Sequence, residues 1–316
     1  MALPDISPRG SRPYPAVVAS AAFSIGVLSL QDVPWPVLVE RARRAESLGF
    51  DVFWVADHFV NPYAPRAHWY EGWTVLAGLA AATERIRIGT LVTSNTLRNP
   101  VLLARMAMTV DHISGGRLEL GIGPGGAPLD YSMLGLPTWS PGERVDRLDE
   151  TLRVLIPLLE TGEAHHDGRY HRIDEAIVAP RPIQQPRPPI TIGALGPRAI
   201  ELAARHGDAW NTYGVAEGRS AAGHLSHPDA LVATARRVAL LDAACDRLGR
   251  DRASIRRSYL SFRGILEPIG KPAEFAAMVD DFRSLGFTQL SLYWPSSADE
   301  EAVLEAVGRE VLPSLR

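Results

Sequence analysis

Short apolar runs alternate with longer amphipathic segments from residue 23 to the C-terminus. The apolar runs predict buried β-strands, which cover residues 23–30, 52–55, 86–92, 118–122, 190–193, 209–211, 255–262 and 289–292. Between them, apolar residues recur every three or four positions and predict helices near residues 34–48, 73–83, 100–113, 143–160, 197–206, 229–248, 272–285 and 299–311. Eight strands that alternate with eight helices predict a closed parallel (β/α)8 TIM barrel. The alternative, a doubly wound open sheet, normally has fewer strands before its order reverses.

Two segments interrupt this alternation. Residues 1–22 are rich in proline and predict a poorly ordered N-terminal tail. Residues 161–189 combine a glycine-containing turn with several prolines, which predicts an extended insertion such as a hairpin. The remaining pattern is continuous, so we expect one domain over residues 23–316.

The composition narrows the classes of partner. The chain has 316 residues, of which 46% are apolar and 22% charged, and its formal net charge is −3. Without a basic patch or arm, this balance argues against nucleic acid or an anionic membrane surface as a partner. No segment approaches the roughly 20 apolar residues of a membrane span, and the apolar stretch at 16–23 continues into the first strand instead of forming a signal peptide. Because Cys245 is the only cysteine, no internal disulfide can form, and we expect a cytoplasmic protein.

Two titratable side chains, Asp57 and His58, follow the second predicted strand directly. The carboxyl ends of the strands of a TIM barrel carry its active site, so an acid and an imidazole there are well placed for proton transfer. Burial can move the pKa of either group toward neutrality. The alternative is structural: Asp57 caps a neighbouring backbone segment and His58 packs against Phe59.

The other strand ends are rich in glycine, hydroxyl and aromatic residues, and they cover 93–95, 123–126, 193–196, 211–213 and 293–294. Few charges and many glycines favour a large planar ligand held through main-chain groups. Residues 121–126 match the GxGxxG pattern, but Pro124 interrupts the turn and no helix is predicted before residue 143, which disfavours a Rossmann dinucleotide site. Residues 193–196 lead into Pro197, where the free N–H groups of a helix start favour a phosphate, with Arg198 as a further donor; a simple tight turn is the alternative.

The remaining candidate residues give weaker evidence of a functional site. His165, His166 and His171 lie in the polar insertion without ligand partners at a known spacing, so no metal site is predicted. Arg117 precedes the fourth strand and belongs to the opposite rim, where we expect it to pair with Asp111. The chain contains neither the GxSxG motif of a serine nucleophile nor a P-loop.

Several stretches resemble the bacterial luciferase-like monooxygenase superfamily, and within it the coenzyme F420-dependent oxidoreductases. The resemblance extends from about residue 23 to the C-terminus. It rests on residues 54–59 (WVADHF), 85–92 (RIRIGTLV), 98–100 (RNP), 114–123 (SGGRLELGIG), 180–186 (PRPIQQP) and 192–197 (IGALGP).

This resemblance implies a TIM barrel with a flavin-like ring at the carboxyl ends of its strands. It implies that Asp57 and His58 face the reactive part of the ring and that a non-proline cis peptide lies at about Leu91–Val92. It also implies a homodimer, and a phosphate-bearing tail that runs toward residues 193–196. The cofactor contacts implied in this way are Asp57, Leu91, Val92, Thr93, Ser94, Gly123, Gly125, Gly126, Gly193, Ala194, Leu195 and Gly196.

The predicted function is therefore an F420-dependent oxidoreductase that transfers a hydride between the deazaflavin and a small organic substrate. The glucose-6-phosphate dehydrogenases of this branch carry a catalytic glutamate where this chain has Gly126, and they use lysines for the sugar phosphate. Lys271 is the only lysine here, which argues against that substrate. One alternative is a reduced-FMN-dependent monooxygenase supplied by a separate flavin reductase. Another is a barrel that binds a flavin or other ligand without turnover.

Overall fold

A computed structural model describes residues 23–214, 226–261 and 271–316, so the predicted tail at 1–22 lies outside the described residues. The strands are β1 (Ser24–Leu28), β2 (Val52–Val55), β3 (Arg87–Thr90), β4 (Thr93–Ser94), β5 (Leu118–Gly123), β6 (Glu163–Asp167), β7 (Arg172–Ile177), β8 (Ile190–Gly193), β9 (Ala209–Tyr213), β10 (Arg256–Leu260) and β11 (Gln289–Tyr293). The helices are α1 (Trp35–Leu48), α2 (Gly72–Ala82), α3 (Pro100–Ile113), α4 (Pro128–Met133), α5 (Pro141–Glu160), α6 (Pro197–His206), α7 (His227–Leu248), α8 (Pro272–Ser284) and α9 (Ala298–Ala306). Short 3₁₀ turns cover Asn95–Leu97, Arg252–Ser254 and Leu312–Leu315, and a π-helical turn covers Val307–Val311.

Eight of these strands close into the parallel barrel that the sequence predicts. Around the ring the order is β1, β2, β3, β5, β8, β9, β10 and β11, and β11 pairs again with β1. Leu28 of β1, for example, lies opposite Trp54 of β2 on one side and Tyr293 of β11 on the other. All the strands therefore end at one rim, here called the mouth, which is where a TIM barrel places its active site.

Polar residues at the helix starts fix where several helices begin. Asn99 accepts a hydrogen bond from the Val101 amide at the start of α3, and Glu71 accepts from the amides of Trp73 and Thr74 at the start of α2. Pro100 occupies the first position of α3, where a missing N–H costs nothing. These caps satisfy amides that the helix itself leaves without partners, and they end the loops of the mouth at defined points.

The interior of the barrel is filled by Trp54. Its indole Nε1 donates to the Ser291 hydroxyl at 3.0 Å. On the adjacent strands, a Cβ at Gly26 would lie 2.6 Å from Trp54 Nε1, and one at Gly89 would lie 2.5 Å from Trp54 Cζ3. The small residues of β1 and β3 therefore create the space that the indole occupies. Trp54 belongs to an apolar cluster of strand and loop residues that includes no helix residue, which places the cluster inside the ring of strands.

An ion cluster occupies the interior near the other rim. The carboxylate of Glu119 is fully buried, and it accepts from Arg87 Nε at 2.8 Å and from Arg256 Nη2 at 3.1 Å. Each of these three residues is the first or second of its strand, so the cluster lies at the end of the barrel opposite the mouth. Buried carboxylates are stable only with such paired donors, and here two guanidinium groups satisfy both oxygens.

The insertion at 161–189 contains the predicted hairpin, formed by β6 and β7 in antiparallel register. It is fastened to α5 by the Glu150 carboxylate, which accepts from the backbone amides of Arg169, Tyr170 and His171. Desolvation alone would raise the pKa of Glu150, but these backbone hydrogen bonds lower it overall. The hairpin is therefore held to the barrel by charge-assisted hydrogen bonds.

Two details differ from the sequence predictions. Helix α4 was not predicted, because a six-residue helix is too short for apolar periodicity to reveal it. Arg117 does not pair with Asp111: its guanidinium donates to Thr83 Oγ1 and to backbone carbonyls that include those of Ala80 and Ile86, while both oxygens of Asp111 accept from Gln184. A carbonyl-rich helix end satisfies a planar guanidinium more completely than one carboxylate does. Among the described helices, none is long and apolar enough to cross a membrane.

Candidate active site

Asp57, at the end of β2, is the centre of a buried ion triad. Its Oδ2 accepts from Arg98 Nη1 at 2.6 Å, and its Oδ1 accepts from Arg98 Nη2 at 2.8 Å. The same Nη2 donates to Glu71 Oε1 at 2.5 Å, and the amide of Ser94 donates to Asp57 Oδ2 at 3.0 Å. Asp57 therefore ties the end of β2 directly to β4 and, through the Arg98 guanidinium, to Glu71 at the start of α2.

Burial and hydrogen bonding act on Asp57 in opposite directions. Desolvation raises the pKa of its carboxyl, while Arg98 and the Ser94 amide oppose that rise. All three contacting groups are donors, and a protonated carboxyl would have to turn a hydrogen toward one of them; the geometry is therefore that of a carboxylate. This matches the structural alternative, in which Asp57 caps a neighbouring segment, and it leaves no oxygen of Asp57 uncommitted for proton transfer.

His58 has a different partner, one that the sequence did not reveal. Its Nδ1 lies 2.7 Å from Oδ2 of Asp130, which belongs to α4. The other oxygen of Asp130 accepts from the Phe59 amide at 3.0 Å. Asp130 is buried, whereas one third of the His58 side chain is exposed. A buried carboxylate thus holds an imidazole that solvent and ligands can reach.

This arrangement fixes the chemistry of the imidazole. A carboxylate at Nδ1 selects the tautomer that carries its proton there, which leaves the Nε2 lone pair to accept a proton. Within residues 23–214, 226–261 and 271–316, Nε2 makes no hydrogen bond. Trp69 packs beside the ring at a centroid distance of 6.4 Å and donates its indole N–H to the His58 carbonyl at 2.7 Å. His58 therefore presents an oriented imidazole at the mouth, with a geometry that would allow proton exchange at Nε2.

Sequence reasoning missed Arg98 and Asp130 for different reasons. Arg98 stands in the RNP stretch that the resemblance singles out, so its motif was a usable signal. Asp130 lies 72 residues from His58 along the chain, in a helix too short to predict. No local pattern in one sequence links residues at that separation.

The link between β3 and β4 is a bulge that contains a cis peptide bond between Leu91 and Val92, which confirms the expectation at this position. Val92 projects against the neighbouring strands: a Cβ at Gly123 would lie 2.7 Å from Val92 Cγ2, and one at Gly193 would lie 3.1 Å from Val92 Cγ1. The glycines at 123 and 193 therefore accommodate Val92. The contact of their backbone with a ring stays a prediction.

An apolar floor lies at the mouth, above Trp54. The buried cluster there consists of Leu28, Leu30, Val52, Trp54, Ala56, Leu91 and Leu260, with Trp69, Val92, Tyr213 and Tyr293 packed against it. The nearby hydroxyls of Thr93 and Ser94 are already engaged, with Thr90 and with Thr96. A floor of this kind suits the face of a planar ring better than a sugar or a metal ion. No group of metal-ligating side chains occurs in the residues that the structure describes.

The glycine-rich loop after β5 contacts Arg144 of α5. Gly125 and Gly126 have positive φ angles of 70° and 147°, and Arg144 Nη1 donates to the Gly125 carbonyl at 2.5 Å. A Cβ at Gly126 would overlap the Arg144 guanidinium. Arg144 Nε is buried and has no hydrogen-bond partner among the described residues. The loop thus positions a partly exposed guanidinium whose Nε makes no hydrogen bond within the described residues.

The loop after β8 leads into α6. Gly196 is the N-cap of α6, no side chain caps that helix, and the space beside Gly196 is open. Arg198, the expected extra donor, pairs instead with Asp146 of α5 and also donates to the Gly142 carbonyl. These contacts bring the first turns of α5 and α6 together. The amides at the start of α6, which have no side-chain cap, and the Arg144 guanidinium are here together called the cationic side of the mouth.

Comparison with known proteins identifies relatives along most of the chain. The sequence profile of the luciferase-like monooxygenases matches residues 17–266. An F420-dependent glucose-6-phosphate dehydrogenase of Kineococcus radiotolerans is 29% identical over 321 aligned positions, which cover 88% of this chain and 93% of that protein. The corresponding enzyme of Amycolatopsis mediterranei is 35% identical over 176 positions, and the chain spans only 52% of its length. The oxygenase component of a flavin-dependent trigonelline monooxygenase from Acinetobacter baylyi is 30% identical over 46% of its length.

Solved structures share the fold. A coenzyme F420-dependent tetrahydromethanopterin reductase from Methanopyrus kandleri superposes with a TM-score of 0.75 at 21% identity and covers 94% of this chain. An F420-dependent secondary alcohol dehydrogenase superposes with a TM-score of 0.78, also at 21% identity and 94% coverage. At this level of identity the comparison shows a common barrel and leaves the reaction to be argued from the site.

Proposed function

Because the chain belongs to the luciferase-like monooxygenase family, we propose that it is an F420-dependent oxidoreductase acting on a small organic substrate. The observation that carries this proposal is the His58–Asp130 pair at the mouth, whose Nε2 has no hydrogen-bond partner in the described part of the chain, beside an apolar floor. When bound, the deazaflavin ring accepts or supplies a hydride. The chain supplies the surface for the ring, an anchor for its tail and the group that handles the proton.

The ring belongs on the apolar floor. Leu91 and Val92 of the bulge provide one surface, and the backbone of Thr93 and Ser94 continues it toward the end of β2. Asp57 supports this surface from beneath, because its bond to the Ser94 amide fixes the segment after the bulge. We therefore assign Asp57 a positioning role, in place of the proton transfer that its position at a strand end predicts.

The tail of the cofactor carries negative charge and belongs on the cationic side of the mouth. There the segment Gly193, Ala194, Leu195 and Gly196 leads into α6 with free N–H groups. Arg144 contributes a guanidinium whose Nε has no partner among the described residues. Gly123, Gly125 and Gly126 shape the loop that holds Arg144, so their contribution comes through its backbone. A phosphate between these groups would gain charge-assisted hydrogen bonds.

The proton is assigned to His58. With Asp130 at Nδ1, Nε2 can take a proton from a substrate hydroxyl or return one to a carbonyl oxygen. The buried negative charge of Asp130 stabilises the imidazolium that results. General acid–base assistance of this kind contributes about 10²–10⁴-fold to rate.

Reduced FMN is the second candidate cofactor, since it would use the same floor and the same anchor for a phosphate. The similarity to an oxygenase component supports it, and that reaction would need a separate flavin reductase. F420 is preferred because the relative matched along 93% of its length is F420-dependent, whereas the match to the oxygenase covers 46%. We also propose a cytoplasmic homodimer, which light scattering would test against the 34.4 kDa chain.

Titration of the purified protein with F420 and with FMN, followed by quenching of cofactor fluorescence, tests this assignment. Saturable quenching of F420 at lower concentration than FMN is expected. Arg144→Gln should weaken binding about tenfold, since a charge-assisted hydrogen bond contributes about 1.5–3 kcal/mol. Arg153→Gln, which removes an exposed arginine from the same helix, is the matched control and should leave the affinity unchanged. Tighter binding of FMN together with oxygen consumption would replace F420, and binding of neither would end the proposal.

A further inference from the structure

Helix α4, which carries Asp130, buries only two of its six side chains. Asp130 and Tyr131 are buried, whereas the other four are exposed: Pro128, Leu129, Ser132 and Met133. A helix of this length is not stable by itself, and among the described residues no side chain caps its start. The place of Asp130 therefore depends on its own hydrogen bonds and on what Tyr131 contacts.

Tyr131 has one polar and one aromatic contact. Its hydroxyl accepts a hydrogen bond from Thr96 Oγ1 at 2.9 Å, which ties it to the turn after β4. Its ring meets Trp139, in the connection between α4 and α5, edge-to-face, with the centroids 5.3 Å apart and the planes at 70°. This is a geometry that aromatic pairs prefer. Trp139 thus packs directly on the neighbour of Asp130.

Trp139 is in turn held by Arg147 of α5. The guanidinium carbon of Arg147 lies 4.3 Å from the centroid of the Trp139 ring and 4.4 Å from that of Tyr170. Its Nη2 donates to Glu143 Oε1 at 2.8 Å, which fixes the arginine along the helix. The Tyr170 amide donates to Glu150, so the hairpin of β6 and β7 belongs to the same stack. Because a cation over an aromatic face is attracted to it, these contacts hold Trp139 in place.

We propose that Trp139 is a positioning residue for His58. Held by Arg147 and, through it, by the hairpin, the indole fixes the short helix that carries Asp130. Asp130 in turn orients the imidazole. This rests on the proposed function, since it concerns the group to which the proton is assigned. The insertion at 161–189 thereby supports the mouth through a stack of aromatic and guanidinium groups.

The backbone amide of Phe59 reports whether Asp130 is in place. It donates to Asp130 Oδ1 at 3.0 Å, so its hydrogen exchanges with solvent when that bond opens. The Ser94 amide donates to Asp57 Oδ2, also at 3.0 Å, and provides a reference at the same rim. Both exchange rates are measured by NMR in the full chain without cofactor.

Variants of the stack should change the exchange of the Phe59 amide and leave the reference unchanged. Trp139→Leu should accelerate it about 2–10-fold, which is the equilibrium factor that an edge-to-face aromatic pair contributes. Trp139→Phe keeps a ring against Tyr131 and should retain most of the protection. Arg147→Gln removes the cation from the stack and should accelerate exchange about 2–5-fold. Arg153→Gln removes a more exposed arginine from the same helix and should have no effect.

An unchanged Phe59 rate in Trp139→Leu would overturn the inference. An equal acceleration of the Ser94 amide would do the same, because it would indicate general loosening instead of local positioning. Loss of protection in Trp139→Phe as large as in Trp139→Leu would also contradict it. If Trp139→Leu does not fold, Arg147→Gln decides by the same two amides. Quenching of F420 fluorescence is measured separately on the wild-type protein, so a failed cofactor assignment is distinguished from a failed positioning role.

Discussion

Replacing Asp57 by asparagine tests the ion triad at the end of β2. Asparagine keeps the shape of the side chain but removes its charge, and its NH₂ group faces a guanidinium that can only donate. The Arg98 side chain is 6% exposed, so it cannot recover the lost partner from water. Glu71 remains as its only partner in the triad, and the Glu71 side chain is 33% exposed.

The expected cost follows from this geometry. Removing one member of a buried ion pair costs about 3–5 kcal/mol, and the remaining Glu71 places the value near the lower end, at about 3 kcal/mol. The entropy of unfolding is about 2.1 cal/mol/K per residue, or roughly 0.7 kcal/mol/K for 316 residues. Asp57→Asn should therefore lower the melting temperature by about 4–5 °C.

Scanning calorimetry of the wild type and three variants tests the predicted loss of stability. In the double variant Asp57→Asn with Arg98→Met, the unpaired charge is gone, and part of the stability should return. Glu143→Gln breaks a partly exposed pair with Arg147 on α5 and should shift the melting temperature by about 1 °C or less. An Asp57→Asn melting temperature within 1 °C of wild type would refute the reasoning, as would a double variant less stable than the single one.

Three further results are expected. Asp130→Asn should lower kcat by about 10–100-fold with little change in KM, because the imidazole loses the charge that stabilises its protonated form while the substrate surface is intact; unchanged kcat would remove Asp130 from the mechanism. Gly121→Ala would drive a Cβ into the Thr90 carbonyl and should cost at least about 3 kcal/mol in urea unfolding, whereas Gly196→Ala, which meets open space, should cost about 1 kcal/mol or less. Burial lowers the pKa of His171 and of His206, so the unfolded chain binds more protons and stability should fall as pH drops below about 6.5. The double variant His171→Gln with His206→Gln should therefore show a flatter dependence of melting temperature on pH between about 7 and 5.5. An unaltered slope would contradict this expectation.

The barrel was predictable because its strands are buried almost throughout, so that most of them, such as β2 and β8, appear as short and mainly apolar runs between helical segments. The bounds of β2, β8 and α6 agree with the predicted ones, since flanking glycine, proline and charged residues mark their ends. The hairpin of β6 and β7 was predicted without the bounds of its strands, because these exposed strands lack an apolar pattern. Helix α4 was missed because its six residues are too few to show an apolar repeat.

The sequence predicted where the site lies, but not the role of each of its residues. The sequence identified Asp57 and His58 at a strand end, but it could not show that one is committed to Arg98 and the other to Asp130. Those partnerships depend on how loops from different strands meet at the mouth, which no local spacing encodes. The glycines at 123 and 193 illustrate the same limit: their small size is visible in the sequence, whereas the side chain that uses the space is not.

Trp54 and, near the opposite end, the cluster of Arg87, Glu119 and Arg256 occupy the interior of the barrel. A ligand can therefore reach the site only from the mouth. A cofactor and a substrate that bind at the mouth use the same opening, so the one that binds deeper must bind first and dissociate last. Steady-state kinetics with both reactants varied should therefore show a compulsory order, led by whichever molecule rests on Leu91 and Leu260.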